Sequence, residues 1–169
     1  ENLMPGIQKG TLPANKNAQK NLESRLKTLA LVPPKGNSTS TQLSRVNGKS
    51  FRLDDNNFKA TAVTLNFNGN GGTFSLFDDK GEHKAKFGIN SWVEEKDFKT
   101  RVFFPPATGP VVSTPLASSG AWTDDNTFVL SLRYAETAHG DNFTFALDGD
   151  KLTIKMQSSV AKGNPNAPD

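Results

Sequence analysis

The chain of 169 residues contains no cysteine. That excludes disulfides, thiolate nucleophiles, iron–sulfur clusters and cysteine-based zinc sites, and it suits oxidising and reducing compartments equally. Only two histidines are present, His83 and His139, far apart in sequence, which argues against a structural metal site. No run approaches the roughly 20 apolar residues of a bilayer-spanning helix, so no transmembrane segment is expected. A focused basic stripe is missing as well. Residues 1–50 carry eight Lys/Arg against two Glu, whereas residues 51–169 carry twelve against fifteen Asp/Glu. The positive charge therefore lies on the leading segment and the body is slightly acidic, which weighs against nucleic-acid binding.

What is abundant is phenylalanine, glycine and proline, with 12, 14 and 10 residues. Such a chain is expected to have a Phe-built core and many turns. Residue 1 is Glu, with no initiator Met and no signal-peptide pattern, so the sequence reads as a processed product or an excised piece. Asn15 can cap a helix over about 16–31 whose stripe Ala18, Leu22, Leu26, Leu29 and Ala30 repeats at helical spacing. Leu22, Leu26 and Leu29 are the residues expected to dock this helix. Pro33-Pro34 ends it, and Lys35 to Thr41 has the composition of a flexible linker.

From Lys49 the pattern turns to period two. Strands are expected at 49–53, 61–68, 73–77, 83–89, 99–104, 127–135, 142–147 and 152–157, separated by Asn/Asp/Gly turn signals. Pro105 to Ser119 reads as a long loop. The fold class is thus all-β: an antiparallel up-and-down barrel of about eight strands behind one amphipathic helix. The expected division is a connector over 1–46, a barrel over 47–160 and a tail over 161–169.

Motifs that carry chemistry are thin. Ser24-Arg25-Leu26-Lys27 has the S-x-x-K spacing of penicillin-recognising serine enzymes. Its partner motifs are missing, since Tyr134 opens Tyr-Ala-Glu and no Lys-Thr-Gly occurs, so a solvated helix surface explains it better. His139 reads as a loop residue, the Asp/Asn clusters read as turns and not calcium loops, and Glu94, Glu95 and Asp97 read as solvated loop charge. Trp92, Trp122 and Tyr134 are the candidate ligand or interdomain contacts. For the two tryptophans, packing at a barrel end or beneath the helix is the favoured reading. No catalytic residue, cofactor or metal is expected.

Several segments together resemble a known family. They are Asn47-Gly48-Lys49-Ser50-Phe51, Ser119-Gly120-Ala121-Trp122-Thr123-Asp124-Asp125-Asn126-Thr127 and Tyr134-Ala135-Glu136-Thr137, with Leu3-Met4-Pro5-Gly6 and Leu12-Pro13-Ala14-Asn15 upstream. From Leu3 to about Ser159 the chain resembles the C-terminal region of bacterial serine hydrolases of the class C β-lactamase and penicillin-binding-protein type. These are scaffold motifs. The resemblance implies a lipocalin-like barrel, an upstream catalytic domain of the same polypeptide as partner, no catalytic residue in this chain, and an exported, periplasmic or envelope-associated location. The alternative function is a lipocalin-like module that binds a small apolar or peptide-like ligand on its own.

Overall fold

A computed structural model describes residues 10, 13–56, 59–100 and 112–159. It separates residues 1–32 from residues 33–169 as two compact units. In the first, helix α1 spans Lys16–Lys27. Asn15 Oδ1 accepts from the Ala18 N–H at 2.9 Å, satisfying one of the amides left over at the helix start. The helix stops earlier than its apolar stripe suggests. The Thr28 hydroxyl donates back to the Ser24 and Arg25 carbonyls and closes the last turn. No residue of α1 is buried.

The second unit is all-β and holds a nearly closed barrel. After the short helix α2 (Leu43–Val46) come β1 (Ser50–Arg52), β2 (Ala62–Asn68), β3 (Gly71–Asp78), β4 (Gly81–Ile89) and β5 (Val93–Thr100). Then follow β6 (Val112–Trp122), β7 (Thr127–Tyr134), β8 (Gly140–Asp148) and β9 (Lys151–Ser158). The sheet runs β1-β2-β3-β4-β6-β7-β8-β9, with β5 beside the first half of β6. All pairings are antiparallel except a short parallel one, Gly88↔Ser119 and Ile89↔Gly120, where β4 meets the second half of β6.

Two expectations need correction here. The stretch read as a loop from Pro105 to Ser119 is strand from residue 112 on, and residues 105–111 lie outside the described residues. Pro115 and the run of small Ser, Thr, Ala and Gly residues hide this strand. The proline is tolerated because it faces an irregularity: Leu116 pairs with Glu95 and Thr114 with Phe98, leaving Lys96-Asp97 opposite Pro115. A missing N–H costs least at such a bulge. The strand read at 99–104 begins instead at Val93, and residues 101–104 lie outside the described residues. Glu94, Glu95 and Asp97 accordingly belong to a strand. The Glu95 carboxylate accepts from the Lys86 N–H at 2.6 Å, while the Ser118 hydroxyl donates to the Lys86 carbonyl. These side chains satisfy the β4 backbone where it has parted from β6.

Alternation fills the barrel with rings. Phe128 packs against Phe67, Phe87, Trp122 and Phe145 at centroid distances of 5.0, 5.4, 5.3 and 6.1 Å. Across the barrel, Phe74 of β3 meets Phe143 and Phe145 of β8 at 5.1 and 5.7 Å. Gly120 makes room for this cluster, since a Cβ there would collide with the Phe128 ring.

The stretch read as a flexible linker belongs to the barrel unit, which begins at Pro33. Asn37 exchanges two backbone hydrogen bonds with Trp122, at 2.7 and 3.2 Å. Gly36 and the Asn90 amide exchange two more, at 2.9 and 3.0 Å. Ser40 donates to the Asp125 carbonyl, Arg45 pairs with Asp150 at 2.7 Å, and the Gly48 N–H donates to the Leu65 carbonyl. Asn90, Asp125 and Asp150 all lie in turns at one end of the barrel, so residues 36–48 form a strap across that end. Among the described residues no helix is long and apolar enough to cross a membrane.

Candidate functional site

The strapped end is apolar; the opposite end is where polar groups turn inward. Here β3 and β7 finish and β4, β6 and β8 begin, as their register requires. Along β3, Asp78 is in phase with the core residues Phe74 and Leu76. Along β4, His83 is in phase with Ala85, Phe87 and Ile89. On β8, Asp141 is in phase with Phe143 and Phe145.

Each of these inward groups has a partner. His83 Nε2 lies 2.9 Å from Asp78 Oδ1. A carboxylate can only accept, so Nε2 carries the proton in this contact. The Lys80 N–H donates to the same oxygen at 2.8 Å. Burial pushes the Asp78 carboxyl upward, but the hydrogen bonds from His83 and Lys80 and their charges outweigh it and hold it below the ordinary value. On the other side of the mouth, the Tyr134 hydroxyl donates to Asp141 Oδ2 at 2.9 Å. Asp141 is only 1% exposed. Its burial pushes the carboxyl upward, against hydrogen bonds from Tyr134 and Ser158 and the nearby charges of Arg133 and His139. Burial and the Asp141 charge likewise push the Tyr134 phenol upward. His139 sits, as expected, in the loop between β7 and β8, and its carbonyl accepts from the Tyr134 N–H at 3.2 Å.

Two hollows of about 640 and 630 Å³ flank this end, the first lined by Arg52, Asp55, Asn56 and Lys59, the second by Glu82, His83, Glu95, Phe98 and Lys99. Neither reaches the central rings. The second is mixed in charge, because Lys84 pairs with Glu82 at 3.1 Å and Ser75 donates to Glu82 at 2.7 Å. The Asp78–His83 contact uses Nε2, the nitrogen that a Ser-His-Asp triad turns to its nucleophile, and the Ser75 hydroxyl is bonded to Glu82. Among the described residues no group of three or more His, Asp or Glu could hold a metal ion.

The residues singled out from sequence fall in different places. Trp122 is fully buried, stacked on Phe67 at 5.6 Å beneath the strap, and its Nε1 has no hydrogen-bond partner among the described residues. Tyr134 is 2% exposed and is bound to Asp141. Both rings therefore serve the barrel interior. Trp92 is half-buried in the turn between β4 and β5, at the strapped end. Leu22, Leu26 and Leu29 are 58, 58 and 72% exposed. Ser24 and Lys27 are exposed on α1. The Asp78–His83 and Tyr134–Asp141 pairs escaped sequence reasoning, although the period-two phase of β3, β4 and β8 carries the signal that turns them inward. No protein-family model and no curated protein matches the chain.

Proposed function

We propose that this chain is a noncatalytic accessory barrel of a β-lactamase-type serine hydrolase, packing beside a catalytic domain of the same polypeptide and shaping access to it. The observation that carries the noncatalytic, surface-acting half of this reading is the packed interior. Phe67, Phe74, Phe87, Trp122, Phe128, Phe143 and Phe145 occupy the space in which a carrier would hold its cargo. A barrel of this strand number is wide enough for either side chains or one small ligand, and here the side chains take it. The parent hydrolase, and with it an exported location, rests on the sequence resemblance. The exposure of Ser24 and Lys27 favours reading them as helix surface, because an activated serine–lysine pair works in a desolvated pocket.

The test is to read the polypeptide that encodes this chain and to label it with a fluorescent penicillin. The expected result is acylation of a serine outside residues 1–169, with altered turnover and lower thermal stability when residues 1–169 are removed. Labelling of the 169-residue chain itself, abolished in Ser24→Ala, would overturn the proposal. So would saturable uptake of an apolar ligand by the barrel alone, which would favour the carrier reading.

A further inference from the structure

The barrel is nearly closed, and the place where it fails to close is chemically distinctive. The two terminal strands of the sheet are β1 and β9, each paired on one side only among the described residues. Their lengths do not match: β9 has eight residues and β1 has three. At about 3.3 Å per residue, β9 offers roughly 26 Å of edge, of which β1 could cover about 10 Å. The strands nevertheless flank one seam. Arg45, just before β1, is bonded to Asp150 in the β8–β9 turn. After Arg45, the Lys49 ammonium is a further cation holding the Asp150 carboxyl below its ordinary value.

Burial marks the seam as well. Inward residues of the neighbouring strands are sealed, with Val63 and Leu65 of β2 and Phe143 and Phe145 of β8 between 0 and 4% exposed. Their counterparts at the seam are only half-buried: Phe51 and Leu53 on one side, Leu152, Ile154 and Met156 on the other. The charges on the outward positions are all positive. Lys151 and Lys155 alternate with the apolar residues of β9, with Thr153 and Gln157 between and after them, Arg52 ends β1, and neither strand contains an acid. The acids nearest the seam are Asp54 and Asp150 in the loops at the ends of the strands and Asp148, the last residue of β8.

We propose that this seam receives an extended segment of a partner protein by β-strand addition, a segment that alternates apolar residues facing in with Asp or Glu facing out. The backbone of the added strand would pair with the edge of β9 that no described strand covers, which supplies affinity, and the alternating side chains would supply selectivity. A second copy of this chain is the wrong occupant, because two β9 strands would set four lysines on one face with no acid to meet them. The chain's own ends fit no better. Residues 1–9 contain one acid and a proline, and residues 160–169 contain one acid and two prolines. Proline cannot donate to the ladder. The inference concerns the seam alone and does not depend on which polypeptide the barrel serves.

The probe is a blocked eight-residue peptide alternating Glu and Val, titrated into the ¹⁵N-labelled 169-residue chain. The expected result is saturable shift changes confined to residues 49–53 and 151–158, with slowed amide exchange along β9. Affinity should fall roughly tenfold in Lys151→Glu/Lys155→Glu, whose exposed positions leave the core intact. Alternate backbone N-methylation of the peptide should abolish binding. Absence of saturable shifts, shifts centred elsewhere, or equal binding of a Lys/Val peptide would overturn the proposal. Concentration-dependent dimerisation through β9 would overturn it too, by making the seam a self-interface.

Discussion

The two ends of the barrel solve the same problem in opposite ways. At one end a strap of Gly, Ser, Thr and Asn residues crosses the opening and is held by backbone hydrogen bonds to Trp122 and side-chain bonds to Asn90. Beneath it the interior is apolar, with Phe67, Trp122 and Phe128 packed among aliphatic side chains that include Val46 of the strap itself. At the other end the strands run out with Asp78, His83, Tyr134 and Asp141 turned inward and paired with one another. A covered end can be greasy because no water must be satisfied there. An uncovered end needs polar groups, and each buried one needs a partner. The difference assigns stability mainly to the strapped end and pH sensitivity mainly to the open one.

The largest blow to that division is Phe128→Ala. It removes the ring at the centre of the cluster and should cost about 3–5 kcal/mol, measured by urea denaturation. Next comes Gly36→Ala, which attacks the strap without touching the core. A Cβ at position 36 would meet the Trp122 carbonyl, so the strap must lift from β6. The expected signature is faster amide exchange at Asn37 and Trp122 and a loss of about 1–3 kcal/mol, the usual range for a forced backbone shift.

At the open end the expected effects stay below that of Phe128→Ala and depend on pH. Asp141 has a raised carboxyl, so the folded protein holds that proton more tightly than the unfolded chain does. This contribution is fully present below the ordinary Asp value and is lost as pH rises through the raised one. Asp141→Asn should therefore gain on the parent protein as pH is raised from acid to neutral. Asp78 has a lowered carboxyl and works the other way. Its stabilisation is present above the ordinary value and is lost as pH falls through the lowered one, so Asp78→Asn should flatten the acid limb of the stability curve. Tyr134→Phe takes the hydroxyl from Asp141 and should cost about 1–3 kcal/mol, more at neutral pH than in acid. The smallest effect is a gain. Thr114 Oγ1 is buried with no partner among the described residues, and Thr114→Val should raise stability by up to about 1 kcal/mol.

Much of the barrel is legible in sequence because alternation and turn chemistry agree. Phe143, Phe145 and Leu147 facing Leu152, Ile154 and Met156 across Asp148-Gly149-Asp150 is such a hairpin, and it forms. β6 was not legible, since its inward positions include Thr114, Ser118 and Gly120, which mimic a loop while making room for larger rings opposite. The strap was hidden for a related reason. Much of its work is done by main-chain groups at Gly36, Asn37 and Gly48, which composition does not reveal. Tyr134 and Trp122 are candidate contacts by residue type, with packing the favoured reading for the tryptophan. Their positions in phase with Leu130, Leu132 and Phe128 put both inside.

One titration tests the central claim, that the barrel is filled by its own side chains and acts through its outside. The indole N–H resonances of Trp122 and Trp92 report the interior beneath the strap and the turn beside it. With a long-chain fatty acid or an apolar fluorophore added to saturation, the account predicts that the Trp122 signal stays in place. A saturable shift of Trp122, together with amides flanking Phe128 and Phe145, would show a ligand entering the ring cluster and would contradict it.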